Sequence, residues 1–295
     1  MNIVAILLLP LAVVLAVPRW IFRKISRLFY KKYSKTPIIA FRQNTNFRIG
    51  KTPLLREVAK YLGAPVVIQD NDSMNVKMMK EAGINVLDGT VREALESSQV
   101  YGKQYPAVIV DGDPKFADIS ILVFDDFYGT GNGLLFPAGP LTNGTRSAIK
   151  ESDAVLIIQT DAASVPIDIV KLAKKYNRPL FLARREMDVQ GIFGKFVAWT
   201  SIPRPVRFFE SLRSVPVIRV VDRVKFKPGK ILEKAEIIGL FHTARRFEAR
   251  LITTEKDWYG LSRNIQQKVK RASVRMSLPP NFFMWLEKKL GEKNG

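Results

Sequence analysis

From residue 37 to residue 253 the chain alternates short β-branched or apolar runs with stretches of helical periodicity, and that alternation admits few architectures. Strands are expected at residues 37–41, 64–68, 107–110 and 119–124, with helices at 53–62 and 73–82. A second series follows, with strands at 154–159, 180–183, 197–199, 217–221 and 251–253 and helices at 167–176 and within 230–247. Strands separated by helices pair in parallel and bury both faces, so the expected fold is α/β with mainly parallel sheets. The turn-rich stretch 129–144 closes the first series, which places a division near residues 145–165. The length, 295 residues, suits two ordinary domains or one large one.

Composition narrows the chemistry. Cysteine is absent and His242 is the one histidine, so thiol catalysis, cysteine zinc sites and histidine-rich metal centres are excluded. A Ser-His-Asp mechanism would have to run through His242, which sits in the helical stretch GLFHTARRF and reads as a packing or surface residue. Lys and Arg number 47 against 27 Asp and Glu, a formal charge of +20 that points to an anionic partner.

The charge is placed unevenly. Residues 1–18 carry no charged side chain and are mostly Leu, Val, Ile and Ala; Arg19, Arg23, Lys24, Arg27, Lys31, Lys32 and Lys35 follow among aromatic residues, and the first acid is Glu57. This reads as a membrane-associating N-terminus, residues 1–35. A cleaved signal peptide would carry its cations before the apolar run. The stretch falls slightly short of the ~20 apolar residues of a spanning helix and contains Pro10. A short or tilted span and a monotopic insertion both fit, as does a buried helix with a solvated basic face. If the segment spans, the cations hold the body of the protein in the cytoplasm, and the basic-aromatic part lies against anionic headgroups. Nucleic acid would explain the charge but not the apolar start, and no RNP, zinc or helix-turn-helix signature is present.

Gly50, Lys51 and Thr52 follow a candidate strand and precede a candidate helix. A phosphate-binding loop needs that context: backbone N–H groups and the helix N-terminus cradle phosphate, the lysine reaches the β/γ oxygens, and the threonine meets Mg2+. The tripeptide also suits a lysine at an ordinary helix start, and the glycine that opens the full GxxxxGK[ST] pattern is replaced by Thr45.

Five segments carry a resemblance: PIIAFRQNTNFRIGKTP at 37–53, VIVDGDPKFADISILVFD at 108–125, GTGNGLLFPAGPL at 129–141, AWTSIPRPVRFFESLR at 198–213 and LITTEKD at 251–257. In order and style they are similar to the tetraacyldisaccharide 4'-kinase family, the lipid A 4'-kinases. That resemblance implies a P-loop NTPase-like parallel-sheet domain at 36–150, a second α/β domain at 151–295, and the N-terminal membrane-associating helix. It implies transfer of the ATP γ-phosphate to the 4' hydroxyl of a tetraacyldisaccharide 1-phosphate at the cytoplasmic face of the inner membrane, with Mg2+. The partners so implied are an anionic acylated disaccharide lipid and the membrane surface, with no nucleic acid. By motif match, Thr45, Asn46, Phe47, Arg48, Ile49, Gly50, Lys51 and Thr52 form the ATP-binding loop. Lys51 and Asp111 are the catalytic candidates, and Thr52 and Asp111 hold the metal.

The sequence departs from the family pattern in several places. FRIGKTP stands for GGTGKTP, so Phe47 and Arg48 replace glycines, and Asp-Asp-Gly becomes Val110-Asp111-Gly112. The family's SRGYG and GDEP segments are missing. Its His-His pair aligns with Arg223 and Val224 behind Asp222, and the Glu of GPLREP aligns with Asn143. These departures keep a second reading open: a relative that binds nucleotide or anionic lipid at the membrane without transfer. Asp113, Asp70 and Asp72 are loop acids that stand as substitute bases or as solvated residues. Glu255, Lys256 and Asp257 read as a helix-capping cluster with Thr253 or Thr254, or as residues with a direct role. Arg204 and Arg207 fit a phosphate clamp or a solvated turn, with Phe208 and Phe209 in the core.

Overall fold

The computed structural model describes residues 36–68, 73–87, 105–114, 116–159 and 165–294, with residues 8, 89 and 93 as isolated positions. Apart from residue 8, the segment 1–35 expected to associate with a membrane lies outside the described residues, as do Asp70 and Asp72. Among the described residues no helix is long and apolar enough to cross a membrane.

The chain divides into two units. The first comprises Met1–Asn71, Ala82–Arg185 and Met276–Gly295, the second Asp72–Glu81 and Glu186–Arg275.

In the first unit the strands are β1 (Ile38–Gln43), β2 (Val66–Ile68), β3 (Val86–Leu87), β4 (Val108–Asp111), β5 (Ile119–Asp125), β6 (Ala154–Gln159) and β7 (Leu180–Asp188), the last belonging to this unit as far as Arg185. They lie side by side in the order β3-β2-β4-β1-β5-β6-β7, and their pairings are parallel. β1 and β5 are apolar without alternation because both of their faces are covered: Ile38 to Phe41 and the whole of β5 are buried. β6 and the start of β7 continue this sheet, so the first unit runs past residue 150 to Arg185.

The connection from β1 leads to β2, two places to one side, and the chain later crosses from β4 over β1 to β5 on the other. The reversal makes the carboxyl ends of β1 and β4 the switch point, where open α/β sheets bind ligands. The helix Thr52–Leu62 lays Leu54, Leu55, Val58 and Ala59 against the sheet and stops at Gly63, whose φ of 60° closes the last turn. On this unit's other strands, the helices Thr145–Lys150 and Ile167–Lys175 bury Ile149, Ile169 and Ala173 with Leu122, Phe124, Val155 and Ile157. The C-terminal helix Pro280–Asn294 closes the unit. Phe282 meets Phe181 edge-on at 5.3 Å, Phe283 stacks on Tyr61 at 4.1 Å, and the Tyr61 hydroxyl donates to Glu287 at 2.6 Å.

The second unit contains β8 (Gly194–Thr200), β9 (Ile218–Lys225), β10 (Arg250–Thr254) and β11 (Val269–Ser277), the last belonging to this unit as far as Arg275, in the order β11-β10-β8-β9, again paired in parallel. One face packs Phe196, Ala198 and Ile252 against Phe208, Phe209 and Leu212 of the helix Pro205–Arg213. The other packs Val197, Trp199 and Leu251 against Leu240 and Ala244 of the helix Lys234–Arg246. The helix Ser73–Glu81 also belongs here: the buried Tyr259 donates its hydroxyl to Glu81 at 2.8 Å and accepts from Arg271 at 2.8 Å. Burial first, and the Glu81 carboxylate second, raise the phenol above its ordinary range.

Candidate phosphate site

The site grows out of the end of β1. Residues Asn44 to Lys51 form the loop that follows, and both Asn44 and Thr45 are buried. Thr45 bridges Leu141 in antiparallel fashion, the Asn46 N–H donates to the Pro140 carbonyl at 2.9 Å, and the Thr142 N–H donates to the Asn44 carbonyl at 3.0 Å. The GNGLLFPAGPL segment therefore lies edge-on against the loop and supports its backbone. From inside, the Gln43 amide donates to the carbonyls of Thr45 at 2.8 Å and Phe47 at 3.2 Å.

Phe47, which the resemblance sets at a glycine position, has a structural partner. Its ring stacks on Tyr128 at 4.2 Å with an 18° tilt. Tyr128 belongs to the turn after β5, and the buried Asp125 carboxylate shapes that turn by accepting from the N–H groups of Phe127 and Tyr128 at 3.0 and 3.1 Å. Arg48 is exposed and Ile49 is buried. Gly50 holds φ at +72°, a conformation that costs glycine little and other residues more.

Lys51 and Asp111 come together. The β1–β4 register sets Phe41 beside Asp111, and Lys51 returns its side chain to the same place, its Nζ 2.6 Å from Asp111 Oδ1 and 3.0 Å from the Phe41 carbonyl. Lys51 is 9% exposed and the Asp111 side chain 16%. Thr52 is buried at the first position of its helix, with Pro53 in the first turn, where its missing N–H costs nothing. A helix start leaves N–H groups unpaired and carries partial positive charge, so this corner attracts an anion. The donor set also suits Mg2+. A carboxylate and a hydroxyl are hard oxygen ligands, and no group of three or more metal-binding side chains occurs among the described residues. Mg2+ keeps several waters and phosphate oxygens rather than entering an all-protein cage.

The other candidates are placed as follows. Asp113 is held by the buried Arg42, Nε to Oδ1 at 2.6 Å, and Arg42 also donates to Ser120 Oγ at 3.2 Å. Asn143 accepts from the Gly144 N–H at 2.9 Å. In the second unit Asp222, Arg223 and Val224 lie along β9, and Asp222 accepts from the Arg223 N–H. His242 is exposed on the helix Lys234–Arg246. The TTEKD cluster is a cap: Thr254 accepts from the Asp257 N–H, and the buried Asp257 carboxylate accepts from Thr200, Thr254 and both the N–H and hydroxyl of Ser201. Phe208 and Phe209 are core, while Arg204 and Arg207 are half-buried at the start of their helix.

A residue that sequence reasoning missed is Arg185. Its Nη2 donates to the carbonyls of Ile49 and Gly50, each at 3.0 Å. The doublet Arg184-Arg185 near the end of an apolar strand was the available signal, and nothing in it names the target.

A parallel sheet whose central strand leads through Gly-Lys-Thr into a helix, with an aspartate ending the adjacent strand, defines an α/β protein with a candidate phosphate loop at its switch point. The chain belongs to the tetraacyldisaccharide-1-P 4'-kinase family, whose model matches residues 9–291. The tetraacyldisaccharide 4'-kinase of Bradyrhizobium diazoefficiens is 31% identical over 237 residues, 76% of this chain and 69% of the relative. That of Maricaulis maris is 34% identical over 163 residues, 54% of this chain and 46% of the relative. In several such matches the chain spans about half the length of the relative. The fold is similar to the crystal structure of LpxK from Aquifex aeolicus in complex with ATP, with a TM-score of 0.70 over 99% of this chain and 100% of that one, at 14% identity.

Proposed function

We propose that this chain is an ATP-dependent lipid kinase that transfers the γ-phosphoryl group to the 4' hydroxyl of a tetraacyldisaccharide 1-phosphate. The observation that carries the reading is the meeting of Lys51 and Asp111 at the switch point, directly before the helix that Thr52 opens, in a chain of this family. Phosphoryl transfer asks a protein for positioning and charge neutralisation more than for covalent chemistry. Lys51 serves the β/γ oxygens, the 45–50 backbone and the Thr52 helix start hold the phosphates, and Thr52 and Asp111 would hold Mg2+. When bound there, the metal would supply charge neutralisation. While Lys51 and Asp111 face each other, their charges offset, so neither is left uncompensated before ligand arrives.

The charge of +20 suits an anionic lipid, and the apolar-then-basic residues 1–35 suit attachment to the cytoplasmic face of the inner membrane, where the acyl chains of such a substrate reside. The test is a transfer assay with the purified full chain, γ-labelled ATP, Mg2+ and tetraacyldisaccharide 1-phosphate in detergent. Labelled lipid should form. No labelled lipid above the background of Lys51→Ala would overturn the reading.

A further inference from the structure

We propose that Arg185 is a positioning residue that sets the shape of the phosphate loop, doing by hydrogen bonding part of what glycines do elsewhere. The inference rests on the nucleotide-binding reading of Lys51 and deepens it. An anion-binding loop must turn its N–H groups toward the ligand and its carbonyls away, because a carbonyl dipole facing phosphate repels it. In FRIGKT one glycine, Gly50, is available to make that turn.

Arg185 meets the loop at this point. One guanidinium nitrogen, Nη2, donates to two consecutive carbonyls, Ile49 and Gly50, at 3.0 Å each. Both carbonyls are thereby drawn to the β7 side of the loop, directly before the Lys51–Thr52 helix start. The fit is close: a Cβ on residue 50 would lie 2.5 Å from Arg185 Nη2, so the absence of a side chain there is what lets the guanidinium in. A charged donor shared by two backbone acceptors is stronger than a neutral one. The arginine acts through the backbone, ordering residues 49–52 before nucleotide arrives.

The experiment compares the full chain with Arg185→Ala, Arg185→Lys and, as a control, Lys51→Ala. Two quantities are measured: amide hydrogen exchange of residues 50–52 without nucleotide, and Mg·ATP affinity by calorimetry. Arg185→Ala should exchange these amides about tenfold faster or more, with β1 and β4 protection unchanged, and should bind Mg·ATP about tenfold more weakly. Arg185→Lys, which retains a charged donor, should fold like wild type and recover part of both. Unchanged loop exchange in Arg185→Ala overturns the inference even where affinity falls, since the residue would then act as a bare charge. Wild type that binds no Mg·ATP, or whose affinity is indifferent to Lys51→Ala, overturns the underlying reading and the inference with it. If Lys51→Ala loses affinity while Arg185→Ala matches wild type in both measurements, the inference alone falls.

Discussion

The Lys51–Asp111 ion pair should contribute to stability in a way that a mutant cycle can read. Its N–O distance is 2.6 Å, Lys51 is 9% exposed, Asp111 is 16% exposed, and the ammonium has a second acceptor in the Phe41 carbonyl at 3.0 Å. An exposed pair contributes about 0–1 kcal/mol, whereas removing one member of a buried pair costs about 3–5 kcal/mol because the other charge is left unpaired. These exposures put the site nearer the buried limit. Lys51→Met keeps the aliphatic stem but strands the Asp111 carboxylate, and should cost about 2–4 kcal/mol. Asp111→Asn leaves the ammonium two neutral acceptors and should cost less, about 1–2 kcal/mol. The double variant buries no lone charge, so its loss should fall short of the sum by about 1–3 kcal/mol. Chemical denaturation of the nucleotide-free chain reports this through Trp285, which contacts Phe181 and Phe282 in the same unit. Losses additive to within about 0.5 kcal/mol would refute the reasoning, because independent sites add to that precision.

Other outcomes follow from neighbouring features. Gly50→Ala must accept a φ of +72° and a Cβ 2.5 Å from Arg185 Nη2, and should weaken Mg·ATP binding about tenfold or more by calorimetry; wild-type affinity would mean the loop conformation is not required. Asp257→Ala removes the acceptor shared by Thr200, Ser201 and Thr254. It should destabilise the second unit by about 3 kcal/mol or more in denaturant, while a loss below about 1 kcal/mol would contradict the buried network. Deleting residues 1–22 should move the protein from the membrane fraction to the soluble fraction on sedimentation, and an unchanged distribution would place the anchor elsewhere.

The strands of both units were legible because a parallel strand buried on two faces must be apolar throughout, as ISILVFD and AVLIIQ are. Ends were less legible. β7 continues through Arg184, Arg185 and Glu186, because backbone pairing extends a strand beyond the run that core burial enforces. β3 has two residues, too few for any periodicity. β11, VKRASVRMS, and the helix Pro280–Asn294 follow the last expected strand. The basic residues of β11 obscured its alternation, and the mixed face of the helix gave a weak helical signal.

At the site, the Gly-Lys-Thr turn was legible from its place between a strand and a helix, and Asp111 only through the family resemblance. The partners of Phe47 and the reach of Arg185 were not. A stacked ring 81 positions away and a guanidinium bound to a carbonyl 136 positions away depend on how the strands are ordered. The same holds for Asp113, which as sequence is a free loop acid and as structure is bound to Arg42.

The most direct test of the account is phosphoryl transfer by the full chain compared with Asp111→Asn. The substitution keeps size and an acceptor for Lys51 but removes the negative charge that is proposed to hold Mg2+ at the end of β4. With γ-labelled ATP, Mg2+ and tetraacyldisaccharide 1-phosphate in detergent, wild type should yield labelled lipid. Asp111→Asn, with its fold verified by circular dichroism, should yield none above background. Asp111→Asn turning over at the wild-type rate, or wild type no more active than Asp111→Asn, would contradict it.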